Sequence, residues 1–282
     1  MGIPTTFDVR AGRARRAARA GALPLRSALV RQRGYWLVGY LRTWKASAVT
    51  SFLEPLLYLA AMGVGIGSYV DHGQRAASLG GLNYLDYIAP GLLAATAMQI
   101  AMAECTYLVL ARLKWNPSFV AMAATPLSPR DIAAGQIGYA GFRIVSTCAV
   151  FLAVIWVFGA VPSALGLLCV PAALLVGLAF AAPLVALSVR ITDDSGFSLV
   201  YRLGLLPMFL FSGAFFPVRQ LPDGIEWLAY VTPLWHGVEM CRSFTTGSVH
   251  WMAIAGHSGY LLVWVAVGSW LSVTGLRRKL AS

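Results

Sequence analysis

The sequence predicts an all-α polytopic membrane protein, and three observations carry that expectation. Of the 282 residues, 58% are hydrophobic and only 12% are charged, about half the charged share of an ordinary soluble domain. Six segments stay apolar over roughly the 20 residues a helix needs to cross the hydrocarbon core: about 48–70, 85–110, 132–158, 165–189, 198–216 and 251–275. Positive charge is concentrated at one end, with ten of the 22 Lys and Arg in the first 47 residues.

That distribution sets an orientation, because basic loops stay on the cytoplasmic side. With both termini inside, Arg112, Lys114, Arg130, Arg190, Arg202, Arg277, Arg278 and Lys279 join the N-terminal cluster there. Only Arg75, Arg219 and Arg242 then face outward, and Arg143 lies within a span. Residues 1–24 read as a basic, flexible cytoplasmic tail. Its RAGRARRAARA run, next to a membrane span, meets anionic lipid rather than nucleic acid. It is not a cleaved leader, since the first apolar run begins about thirty residues later and is longer than a signal core.

Residues 25–47 form the next element. Leu29, Trp36, Leu37, Tyr40, Leu41 and Trp44 recur at helical spacing, with Arg26, Arg33, Arg42 and Lys45 on other faces. An amphipathic helix in the cytoplasmic interface is expected, its aromatic rings at headgroup depth. Residues 48–282 then hold the six spans. The first carries Glu54 near its inner end and GVGIG near its outer end. Ser68 stands where a dinucleotide fingerprint needs glycine, so these small residues serve helix packing or local unwinding.

The second span carries Asp86 and, deeper, Glu104. In the loop after it, Asn116-Pro117 and Thr125-Pro126 bracket the short apolar segment FVAMAA. A rigid apolar knob in a basic loop suits docking to a partner. GAVPS joins the third and fourth spans and RITDDSGF follows the fourth, so no soluble domain fits between them. Pro171 and Pro183 lie in the fourth span, where neighbours must satisfy the freed carbonyls.

The stretch 209–242 begins as a membrane helix and does not finish as one. Pro217, Pro222 and Pro233 interrupt an aromatic run that also holds Asp223, Glu226 and Glu239. A re-entrant helical pair over about 217–247 is predicted, dipping into the outer bilayer edge under the cover of other protein. Pro217 and Pro233 mark its hinges, and His236 with Glu239, at i, i+3 spacing, tie its second arm.

The absences exclude several chemistries. The only lysines are Lys45, Lys114 and Lys279, and none follows a glycine, so a phosphate-binding loop is excluded. His236 and Glu239 have no third ligand nearby, so no metal site is expected. Cys105, Cys148, Cys169 and Cys241 show no metal spacing and no disulfide framework, and read as apolar fillers. Glu54, Glu104 and Arg143 are the intramembrane polar candidates. They serve either a proton path or, as favoured here, a buried ion pair that fixes helix packing.

The order of these elements resembles the permease subunit of type-2 ABC exporters, and more closely the nodulation protein J type of lipooligosaccharide exporter permease. FLEPLLYLAAMGVGIG (52–67), YLDYIAPGLLAATAM (84–98) and KWNPSFVAMAATPLSPRDI (114–132) carry the resemblance. GLAFAAPLVALS (177–188), MFLFSGAFFPVRQLP (208–222) and VTPLWHGVEMCR (231–242) complete it. The resemblance implies a dimer with a second permease copy or paralogue, plus a separate ATPase subunit that holds ATP and Mg. This chain itself would bind no cofactor. It further implies a coupling helix for the ATPase at Trp115, Asn116, Pro117, Phe119, Met122, Thr125, Pro126, Leu127 and Ser128. Pro217, Pro222, Pro233, His236 and Glu239 would form the outer gate. Spans one, two and five would line the route of an amphiphilic substrate, with Tyr58, Met98, Phe211 and Phe215 in contact with it. The expected location is the bacterial plasma membrane, among membrane lipids. Three other readings stand beside this one: a drug-efflux permease of the same fold, a proton-coupled transporter using Glu54 and Glu104, and a lipid-modifying enzyme using the histidines.

Overall fold

The computed structural model describes residues 82–191 and 194–281, the stretch 56–66, and positions 30, 32, 34–41, 45, 49 and 53. The basic tail, Glu54, parts of the first predicted span and the loop 71–81 lie outside the described residues, as do Trp44 and His72. Every regular element among the described residues is helical.

Among the described residues, four helices are long and apolar enough to cross a bilayer: Tyr84–Lys114, Pro129–Val157, Ala164–Arg190 and Trp251–Leu280. They correspond to the second, third, fourth and sixth predicted spans. The first of them divides into α1 (Tyr84–Cys105) and α2 (Tyr107–Lys114) at Thr106. The short helix α3 (Ser118–Ala123) precedes α4 (Pro129–Val157), and α5 (Cys169–Arg190) follows after a single 3-10 turn. The last long helix, Trp251–Ala281, is α10 below.

The fifth predicted span differs from expectation. A helical run formed by α6 (Asp194–Leu199), a π-helical turn (Val200–Leu205) and α7 (Leu206–Phe211) stops five residues short of the predicted end. Its apolar part, Gly196–Phe211, is shorter than a spanning helix. The stop comes from Gly213, whose φ of 79° is left-handed and ends the helix where an L side chain would be strained. Gly91 on α1 meets Ala214 there, and an added Cβ would lie 2.7 Å from the Ala214 Cα. The helix end is thus pressed directly onto the second span.

Helix α5 is the hub, packed against α1, α4 and α10. Its internal Pro183 sits under Gly268 of α10, where a Cβ would come 2.5 Å from the proline ring. Beside it, Ser272 donates to the Ala182 carbonyl at 2.6 Å. At the break in the second span, Ser188 of α5 donates to the Cys105 carbonyl, also at 2.6 Å. Both hydroxyls do what an apolar medium requires, giving exposed carbonyls a partner within the protein. All four cysteines are buried and unpaired, in keeping with a filler role.

Candidate functional site

The loop between the second and third spans takes the bracketed form its prolines predict. Asn116 and Pro117 end α2, and α3 makes one and a half turns. Ser128 then caps α4: its side chain accepts from the Asp131 amide while Asp131 accepts from the Ser128 amide at 2.8 Å. Pro129 follows at the first helical position, where its missing N–H costs nothing. This cap sets the loop rigidly on the end of α4.

Helix α3 has two distinct faces. Phe119 is 0% exposed and anchors the helix in the core, with Met122, Ala123 and Leu127 packed beside it. Trp115, Asn116, Pro117, Val120, Ala121, Thr125 and Pro126 form the outward face, Trp115 at 64% and Val120 at 51% exposure. The loop therefore divides the nine predicted coupling residues. Phe119, Met122, Leu127 and Ser128 hold its shape, and the others are available for contact. Val120 belongs to the contact face although the sequence did not single it out. Its i+3 offset from Pro117 is the signal that would have found it.

Behind the loop lies the polar network of the spans. Arg143 of α4 donates from Nε to Glu104 of α1 at 3.1 Å, and both side chains are largely buried. Gln136 donates to the Glu104 carbonyl at 2.8 Å, and Arg112 donates to Gln136 Oε1. The ion pair expected between Arg143 and a bundle carboxylate is thus formed.

The helical pair after the fifth segment consists of α8 (Asp223–Val231) and α9 (Pro233–Thr246), entered through a 3-10 turn at Val218–Gln220. Pro222 precedes α8. Thr232 caps α9, accepting from the Trp235 amide, and Pro233 opens the helix. The two arms are unequal. Leu234, Val238 and Cys241 bury α9 against α1 and α5, and Gly237 fits against Val176. By contrast, α8 exposes Ile225, Trp227, Leu228 and Val231.

The ties of α9 differ from the predicted one. His236 does not meet Glu239. Its Nδ1 lies 2.7 Å from Nδ1 of His257 on α10, and its ring stacks on Tyr260 at 4.0 Å. Burial, with His257 beside it, lowers the His236 pKa to about 4. Glu239 accepts instead from Arg242 at 2.7 Å. Arg242 also donates to the Gly213 carbonyl at 2.7 Å and lies 3.9 Å over the Tyr87 ring, whose hydroxyl donates to the same carbonyl. The side chain that holds α9 to the broken helix end is therefore Arg242. An arginine two helical turns beyond Pro233 in an apolar run was the available signal, hidden by a reading that paired His with Glu.

Of the four predicted substrate contacts, Tyr58 and Met98 line one cleft of about 160 Å³. Gln99 and Met102 complete its α1 wall, and Tyr201, Leu205, Leu206 and Phe209 form the wall opposite. Phe215 reaches it indirectly, packed edge-on against Phe209 at 4.9 Å, while Phe211 is not in its lining. The i, i+4 series Met98–Met102 and Tyr201–Leu205–Phe209 would have located these walls from sequence. π-Helical turns flank the cleft on both sides, at Leu59–Ile66 and Val200–Leu205. Such turns occur mostly at functional positions. The lining is mixed, with methionine, leucine and phenylalanine side chains beside two phenol groups and one amide. No group of three or more metal-ligating side chains exists among the described residues.

Comparison with known proteins supplies the frame for these sites. Residues 32–245 match the family model described as ABC-2 type transporter. The chain is 30% identical over 256 residues to nodulation protein J of Rhizobium leguminosarum bv. trifolii, covering 87% of this chain and 92% of that protein. It is also 30% identical over 258 residues to nodulation protein J of Rhizobium meliloti, covering 87% and 92%. A third relative, nodulation protein J of Sinorhizobium fredii, is 30% identical over 253 residues, covering 88% and 93%.

Proposed function

The chain belongs to the ABC-2 type transporter family, as a membrane subunit of the nodulation protein J type, and from that premise we propose that it exports a lipid-linked, lipooligosaccharide-like amphiphile under the drive of a separate ATPase. The observation that carries the coupling part is the split character of α3: Phe119 fully buried, and the face with Trp115 and Val120 bare. A rigid knob rooted in the bundle passes a push from outside into α1 and α4.

The substrate part rests on the cleft between α1 and the short fifth segment. At about 160 Å³ it is smaller than the roughly 300–1,000 Å³ of a site that encloses a whole small ligand. It is half of a conduit, completed by a second permease. In the orientation set by the basic residues, the α8–α9 pair stands at the outer end and returns without crossing. Closure of the ATPase pair drives the α3 knobs together, the bundles rock, and the contacts of α9 with Gly213 and His257 part to open the outer end.

The test introduces Val120→Asp with Ala121→Asp, both on the bare face, and measures copurification of the ABC ATPase that associates with the unaltered chain in its native membrane. Loss of the complex with an unchanged thermal midpoint is expected. A complex that survives both charges rules out α3 as the docking element.

A further inference from the structure

Two adjoining clefts lie between residues 32–40 and the spans, away from the route proposed above. One, of about 500 Å³, is lined by Gly34, Tyr35, Trp36, Arg112 and Tyr139. The other, of about 350 Å³, is lined by Leu37, Tyr40 and Phe142 together with the same Trp36 and Tyr139. The Trp36 and Tyr139 rings stack at 4.7 Å and 20°, and this pair is the lining the two clefts share. One cleft offers a cation, and the other is largely aromatic and aliphatic with the Gln32 amide at its edge.

Among the described residues, the charge in the first cleft has no carboxylate bonded to it, and Glu104 acts on it only at longer range. Glu104 is engaged by Arg143, and the Asp131 carboxylate by the Ser128 cap. Arg112 has only the neutral amide of Gln136 and the face of Trp36, 4.4 Å from its guanidinium carbon. Among the described residues no carboxylate lies within ion-pair distance of it. A partly buried guanidinium without a counter-ion is costly, and its fork of donors suits a phosphate. The Trp36 indole N–H is also buried without an acceptor among the described residues, although Trp36 is only 8% exposed.

We propose that these clefts form one binding site for an amphiphile with an anionic phosphate headgroup: the phosphate on Arg112, the acyl chain along Leu37 and Phe142. A bilayer phospholipid and an exported lipid share that chemistry. The site needs neither ATP nor the ATPase, so its occupancy is separable from export.

Native mass spectrometry of the purified full-length chain tests it, with dipalmitoyl phosphatidylglycerol, a neutral glycolipid and inorganic phosphate as probes. One phosphatidylglycerol per chain is expected to be held about tenfold more tightly than the neutral glycolipid, which lacks the phosphate, the scale of one charge-assisted contact. Arg112→Gln removes that preference and Arg112→Lys keeps part of it. Phe142→Gln, at a half-exposed position, weakens phosphatidylglycerol binding without altering the discrimination between headgroups. It reports on the site even if Arg112→Gln does not fold. Unchanged binding by both Arg112→Gln and Phe142→Gln overturns the assignment. Displacement by millimolar inorganic phosphate overturns the combined head-and-chain site. A neutral glycolipid bound as tightly as phosphatidylglycerol overturns the anionic assignment and points to substrate handling.

Discussion

At the scale of single residues, the buried charges of α1 and α4 are paired with one another. Glu104 and Arg143 meet at 3.1 Å with little exposure, and removing one partner of such a pair costs roughly 3–5 kcal/mol because the other charge is left alone. Glu104→Gln is therefore expected to lower the thermal midpoint sharply, and Glu104→Gln with Arg143→Met to recover most of it. Export by the double variant, measured in cells, separates this role from a proton path, which would stay dead. The histidine contact behaves differently. With the His236 pKa lowered to about 4 against about 6.5 when free, the separated state binds more protons between those values. The contact between α9 and α10 thus keeps its full strength above about pH 6.5 and loses it as pH falls toward 4. His257, Tyr230, Tyr260 and Glu239 are the titratable groups around it. A thermal midpoint that drops over this window in the wild type, and is flat in His236→Asn, is the expected result.

At the scale of elements, the helix ends were the most legible part of the sequence. Asn116-Pro117 and Thr125-Pro126 marked the ends of the short loop helix and Pro233 the break before α9, because prolines act locally on the backbone. Partners across elements were not legible. His236 and Glu239 share a helix face, yet each bonds elsewhere, since His257 and Arg242 lie closer in space. Trp36 stacks on Tyr139, a contact between positions more than a hundred residues apart that periodicity cannot reveal. The α9 tie gives a prediction at this scale. Arg242→Gln removes the charged hydrogen bonds to Gly213 and Glu239, each worth roughly 1.5–3 kcal/mol, and so frees the α8–α9 pair. Cysteine accessibility at Trp227→Cys and Val238→Cys reads this out. Val238, buried in the wild type, should become reactive only in the Arg242→Gln background.

At the scale of the whole molecule, the class was evident from composition and apolar spacing, which depend on the solvent rather than on packing. The fifth segment was overextended because SGAFF is as apolar as a span. Only the left-handed Gly213 reveals the stop. The resulting shape, a bundle centred on α5 with a bare knob at one end and a tied helical pair beyond the short segment, has no motor of its own. Reconstitution of the chain in proteoliposomes with the ABC ATPase that copurifies with it, and labelled lipooligosaccharide as cargo, tests this most directly. Flux that requires ATP, ignores a proton gradient and vanishes with Val120→Asp and Ala121→Asp is the predicted result. Flux driven by a proton gradient without the ATPase would contradict it.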